Sequence, residues 1–379
     1  MSRKQILLCL VLALMLLAPA FSAARAAPNP NAPEPAINPL TGLPVSNPAN
    51  LTLPPALVSI TNFPASARPQ AGLSFAPIVF ETYIGEGMTR FLAVFYGDYP
   101  VQATTANGNQ SAAKQASQDA TIGPIRSGRL AYEKIRRQYN GFLVLAGGYQ
   151  GVLQNLRDYT NVYGSDGANV NSAMIPVSRL EEIAKANQSK LDASALSGMS
   201  FDTQAPQGKA GTVLWLPFSY KNQVFWRYDA ASGAYNRYQD KADAKTFVQA
   251  TDRLNSEPLT FENVIVLFAE HQKISDTIYD LNLRYINRAP ALLFRDGKMY
   301  EIFWTTANSE YEKKTGQLRP IRFIDAQGNP FPLKPGQTWI ETVTPASRYF
   351  ETVDSQSYLD LVKKQQPGSG IWAVKFMAP

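Results

Sequence analysis

Apolar residues fall along this chain in short runs more often than they recur at helical spacing. Residues 56–63, 77–84 and 89–96 are rich in β-branched and aromatic side chains, which predicts three strands. Residues 102–119 are polar and of low complexity and read as a surface insertion. Helical and strand patterns then alternate. Residues 129–139 carry apolar side chains at 130, 131, 135 and 139 behind Ser127 as a cap, which predicts a short helix. The apolar run 142–146 ends in Gly147-Gly148 and suits a buried strand. Ser178 and Glu181 have the spacing of a capping box ahead of a helix that reaches about Asn187.

A stretch rich in Ser, Ala, Gly and Gln at 188–211 marks a domain boundary, and the pattern beyond it is mainly β. Residues 224–238 form two alternating arms around a Gly-containing loop, and 291–304 repeat that logic around Asp296-Gly297. Residues 263–269 and 338–343 add strands, 354–365 suggest a helix and 371–376 a last strand. The fold class expected is a two-domain α+β or α/β protein, an N-terminal α/β domain (39–200) before a mostly antiparallel β domain (201–345). A helix-strand extension (346–379) completes it.

The first residues read differently. Arg3 and Lys4 precede the apolar run 6–17, Pro19 breaks it, and Ala24-Arg25-Ala26 offers small residues at a cleavage site. This order predicts a secretory signal peptide over 1–26, and its apolar run is too short for a resident membrane helix. A Pro-rich tether (27–38) follows. Cleavage would remove Arg3, Lys4 and Arg25, so 36 basic residues become 33 against 30 acidic ones and the charge falls from +6 to +3. So small an excess gives no footprint for nucleic acid. Cys9, the one cysteine, lies inside the apolar run rather than just after it. A lipid anchor is therefore not expected, and the mature chain would have no disulfide and no thiol nucleophile.

Chemistry is narrowed by the same counts. His271 is the single imidazole, and its polar neighbours suggest an ordinary loop residue rather than a triad member. No His/Cys metal site and no phosphate-binding glycine motif is present, so neither metal nor organic cofactor is expected. The many aromatics read as strand core, with Trp226 and Trp304 as candidates for exposure.

The positive signal is a set of charges in apolar surroundings. Arg68 leads into a strand carrying Glu81; the following turn carries Glu86 and then Arg90; Arg126, Ser127 and Arg129 bracket a strand-to-helix turn. Such charges either pair with one another or line a cleft, because an isolated buried charge is costly. Guanidiniums near a helix start suit a carboxylate or phosphate. Read as a site, Arg68, Arg90, Arg126 and Arg129 grip an anion while Glu81 and Glu86 orient them. Two alternatives stand beside this reading: a protein-interaction module that regulates an envelope enzyme, and a carboxylate-pair glycan hydrolase built on Glu81 and Glu86.

Pro39-Leu-Thr-Gly-Leu-Pro44, Arg68-Pro-Gln-Ala-Gly-Leu73, Ile78-Val-Phe-Glu81, Thr89-Arg-Phe-Leu92, Ile122-Gly-Pro-Ile-Arg-Ser127 and Ala146-Gly-Gly148 stand in fixed order. Tyr228-Asp229, Tyr235-Asn-Arg237, Asn263-Val-Ile-Val-Leu267 and Pro335-Gly-Gln-Thr-Trp-Ile340 follow them. This series resembles the YerB-like lipoprotein family of bacteria, with its N- and C-terminal domains of unknown function 3048. The resemblance implies a two-domain envelope protein outside the membrane with no established reaction, and a cell-envelope component or envelope protein as partner. Two departures stand out. The family's lipid-bearing Cys is absent, and Leu145 and residues 168–171 occupy places where the family pattern has histidines, which counts against an enzyme.

Overall fold

The computed structural model describes residues 35–100, 119–188, 193–307, 309–354 and 357–379. The expected signal peptide, Cys9, most of the expected tether and nearly all of the 102–119 stretch lie outside the described residues. Along the chain the strands on the main paths of the two large sheets, to which Lys209–Ala210 and Thr260–Phe261 add one short strand each, are β1 (Ala56–Thr61), β2 (Ile78–Gly85), β3 (Met88–Phe95), β4 (Phe142–Leu145) and β5 (Tyr159–Asn161). They continue with β6 (Val213–Ser219), β7 (Asn222–Asp229), β8 (Ala234–Asp240), β9 (Phe247–Gln249), β10 (Asn263–Phe268) and β11 (Ala289–Arg295). The last are β12 (Lys298–Thr305), β13 (Arg322–Ile324), β14 (Thr338–Val343), β15 (Arg348–Glu351) and β16 (Ile371–Lys375). The α-helices are α1 (Leu130–Gln138), α2 (Gln150–Leu153), α3 (Val177–Ala186) and α4 (Glu310–Thr315).

The protein is mostly β with few helices. The first sheet runs β13-β12-β11-β10-β14-β2-β3-β1-β4-β5 and the second β9-β8-β7-β6-β16-β15. Strands of the first half form a mixed array, antiparallel at β1/β3 and β2/β3 and parallel at β1/β4 and β4/β5. Those of the second half pair mainly antiparallel. The α/β character expected before residue 200 reduces to α1 and α3, with α2 a single turn. The boundary expected at 188–211 does not divide the sheets, because β2 pairs in parallel with β14 and joins both halves into one array.

Two cores explain the continuous apolar runs. Val58, Val79 and Ala93 face Leu214, Trp226 and Val374 between the two sheets. Leu57, Phe80 and Leu92 face Tyr132 and Ile135 of α1 on the other side of the large sheet. A strand covered on both faces has no reason to alternate, and every residue of β1 and β2 is buried.

Several local expectations change. The capping box at Ser178 does not form: Pro176 precedes α3, and the Asp119 carboxylate accepts from both the Ser178 amide and its hydroxyl. Ser127 does not cap α1, which starts directly after an extended Arg129. Among the described residues of 354–365 no α-helix forms. They make one 3-10 turn, Tyr358–Asp360, and the chain returns to bridge Thr352 with Gln365. His271 lies on the outer hairpin His271–Ser275/Ile278–Leu281, not in an exit loop, and is 8% exposed. Its Nδ1 donates to the Ala269 carbonyl, and burial lowers its pKa to about 4. Trp226 and Trp304 are both core residues.

Candidate functional site

The end of β1 is the frame of the cleft. Arg90 on β3 stands opposite Thr61, and residues 123–126 run along the other side of the strand. There Ile125 bridges Ile60, Thr61 N–H donates to Pro124 O, and Arg126 N–H donates to Ser59 O. This brings Arg126 and Arg129 beside Arg90. Gly128 permits it: a Cβ there would stand 2.9 Å from the Leu145 side chain and 2.7 Å from that of Leu156. Across the opening, the β2–β3 turn holds Glu86 at φ 52° next to Gly87 at φ 74°, whose missing Cβ would strike Ser219.

Each arginine is tied down by one arm. Arg90 Nη1 donates to Ser127 O (3.1 Å), Arg126 Nη1 to Val170 O (3.3 Å) and Arg129 Nη1 to Gly128 O (3.0 Å). Arg126 Nε is also bonded, to Thr61 Oγ1 at 3.1 Å, while the Nε atoms of Arg90 and Arg129 are enclosed and unpartnered. The three Nη2 groups are neither bonded to described residues nor enclosed. The three residues line a cleft of about 400 Å³ whose apolar wall is Phe63, Pro64, Ile84 and Met88, with Glu86 and Thr277 completing the lining.

No carboxylate pairs with these guanidiniums among the described residues, so their charges act on one another. Burial and then the Arg129 cation lower the Arg90 pKa to about 9. Burial lowers Arg126, and burial together with Arg126 lowers Arg129.

The other sequence-predicted residues go elsewhere. Arg68 does not reach the cleft. It stacks over the Phe63 ring at 4.7 Å, donates through Nε to Asn62 and through Nη1 to Asp240 O (2.7 Å), and lines a separate groove with Gln239 and Asp240. Glu86 makes no ion pair with the arginines it was expected to orient. Ser127 contributes through its carbonyl, which accepts from Arg90 and from Ser59 Oγ. Glu81 is 0% exposed and orients none of the three: Oε2 accepts from Arg237 Nη2 at 2.8 Å and Oε1 from Thr89 Oγ1 at 2.6 Å. A group so enclosed cannot attack or protonate a glycan, which removes the geometric basis of the carboxylate-pair alternative.

Two residues of that inner network escape sequence reasoning. Arg237 is ringed by Trp339, Phe91 and Trp226, with ring centres 4.8, 5.2 and 5.8 Å away. Glu341 on β14 lies opposite Glu81 and accepts from Trp226 Nε1 at 2.9 Å. Burial, then the neighbouring Glu81 charge, raises its pKa well above the ordinary carboxylate value. The signal was available: a lone acid inside the apolar strand 338–343 obeys the same logic that singles out Glu81.

With this geometry established, known proteins offer a comparison. Residues 40–199 match the N-terminal domain, and residues 214–340 the C-terminal domain, of a protein of unknown function, DUF3048. The chain belongs to the DUF3048 family. It is 27% identical over 323 residues to a Bacillus subtilis (strain 168) protein named "Putative lipoprotein YerB", covering 80% of this chain and 85% of that one. The crystal structure of YerB protein from Bacillus subtilis superposes with a TM-score of 0.59 at 25% identity, covering 81% of this chain and 96% of the other. Inside the DUF3048 frame, Arg90, Arg126 and Arg129 all fall in the N-terminal domain, whereas Arg237 belongs to the C-terminal one. Among the described residues no helix is long and apolar enough to cross a membrane, and no cluster of His, Cys, Asp or Glu could hold a metal ion.

Proposed function

We propose that this DUF3048 protein works outside the cytoplasmic membrane and binds an anionic envelope component, a glycan, peptide carboxylate or phosphate polymer, in the Arg90–Arg126–Arg129 cleft. The observation that carries this reading is the set of three guanidiniums that line one hollow with no carboxylate partner among the described residues, each with an Nη2 group that no described residue accepts from. A structural ion-pair network would have supplied acids to neutralise them, as Arg237 has Glu81 and Arg322 has Glu312. Ser127 holds Arg90 in place, Glu86 limits the charge at the rim, and Arg68 braces the Phe63 wall from behind. The signal-like first 26 residues and the lipoprotein relative support an envelope location.

Equilibrium binding to isolated anionic wall polymers tests the proposal. Charge-assisted hydrogen bonds contribute about 1.5–3 kcal/mol, so Arg126→Ala should weaken binding tenfold or more. Unchanged binding in a folded Arg126→Ala protein would remove the cleft from the function.

One observation favours a protein partner as the second reading. Tyr149 and Ile274 are exposed and line a groove of about 420 Å³ beside α1 that Arg90, Arg126 and Arg129 do not line. A Tyr149→Ala, Ile274→Ser double variant that binds wall polymer normally but loses an envelope protein in pull-down would favour it.

A further inference from the structure

The cleft's donors can be counted, and the count selects a ligand shape. A carboxylate presents two oxygens in a plane and is best gripped by the forked edge of a single guanidinium. One such fork would satisfy a carboxylate and leave the other two guanidiniums idle. Each Nη1 gives one of its two N–H groups to a carbonyl, Arg126 Nε gives its N–H to Thr61, and the Nε atoms of Arg90 and Arg129 are buried without a partner. What remains at each of the three positions is the Nη2 group and the second N–H of Nη1. Three guanidiniums can each engage one of the three terminal oxygens of a tetrahedral group, one oxygen more than a carboxylate presents.

Charge points the same way. Three guanidiniums against the Glu86 carboxylate leave a local excess of two positive charges. A phosphate monoester carries about −1.5 to −2 at pH 7, whereas a carboxylate or a phosphodiester carries a single charge. The wall beside the donors is apolar, formed by Phe63, Pro64, Ile84 and Met88. A polyol placed there would lose water without gaining partners, while a hydrocarbon would be covered favourably.

Building on the reading of this cleft as an anion site, we infer that its ligand is the terminal phosphate monoester of an apolar alcohol. The phosphate sits across the three guanidiniums and the hydrocarbon lies along the Phe63–Met88 wall.

Calorimetric titration of the full chain with four probes tests this: n-octyl phosphate, its methyl diester, octanoate and inorganic phosphate. Octyl phosphate is expected to bind at least tenfold more tightly than each of the other three. Its affinity should also rise between pH 5 and 7.5 as the second ionisation near 6 completes, a rise that octanoate cannot share. Arg126→Ala should abolish the preference for monoester over diester, and Met88→Ser should weaken octyl phosphate without affecting inorganic phosphate. Octanoate binding as tightly as octyl phosphate would overturn the phosphate assignment yet leave an anion site intact. Inorganic phosphate matching octyl phosphate would overturn the apolar half. Failure of all four probes with wall polymers still bound through Arg126 would refute this inference alone, and failure of the polymers as well would refute the underlying reading.

Discussion

Like charges gathered in a half-buried hollow raise one another's energy, and Arg90 shows the effect most clearly. Its cation is disfavoured first by burial and then by Arg129, which brings its pKa to about 9. A bound anion offsets that repulsion, so binding and protonation reinforce each other. Anion affinity should therefore hold steady from pH 7 to 8 and fall as pH rises through about 9, where free Arg90 sheds its proton. Titration at pH 7, 8 and 10 checks this, with Arg90→Lys, whose ammonium cannot occupy the same tether, as control. Arg126 is half-exposed and anchors nothing but a loop carbonyl and Thr61. Its replacement by Ala should change unfolding free energy by no more than about 1 kcal/mol, the surface scale, in denaturant melts. Residue types and local spacing made Arg90, Arg126, Ser127 and Arg129 legible in the sequence, because charges among glycines and apolar runs demand an explanation. Arg68 looked equivalent on the same grounds. Only its actual partners, Asn62 and the Asp240 carbonyl far downstream, separate it from the cleft.

Strands and hairpins followed the apolar pattern closely, since β-branched runs and Asp-Gly turns are local signals. The arms of β7/β8 and β11/β12 lie where alternation placed them, and β14 spans 338–343 as expected. Helix starts were less legible: α3 is capped by Asp119, 59 positions away, which no local window contains. The β2/β14 contact was invisible for the same reason, and it sets Glu81 against Glu341 around one guanidinium. Glu341→Gln keeps an acceptor for Trp226 and removes the cost of ionising or protonating a buried carboxyl, so it should not destabilise the fold. Glu81→Gln strands Arg237 as an unpaired buried cation and should cost about 3–5 kcal/mol. The pH sign follows from linkage. Glu341 titrates higher folded than unfolded, so its contribution is complete below the unfolded pKa and declines as pH rises towards the folded one. Relative to the natural protein, Glu341→Gln should gain stability between pH 5 and 8; chemical denaturation at both ends measures it, and an equal difference at the two would contradict the upward shift of Glu341.

At the scale of the whole molecule, β14 lies between β2 and β10, so neither half of the chain owns the large sheet. Heat or denaturant should unfold residues 36–379 in a single transition, and a fragment ending at residue 200 should lack cooperative melting by circular dichroism. Two resolved transitions would contradict this. Composition and run length foretold a mostly β second half; they could not foretell a shared sheet, since parallel pairing leaves no mark in either strand's own pattern. The same pairing has a consequence for biogenesis. Thr342 reaches back to the Glu81 carbonyl across 261 positions of chain. Until that C-terminal stretch emerges, β2 presents an open, apolar edge of the kind that recruits stray strands. If the polypeptide is threaded through an export channel amino end first, it passes through a long interval in which its earliest strands are complete but unsealed. Holding factors on the far side would then matter more for the yield of this protein than its final stability does.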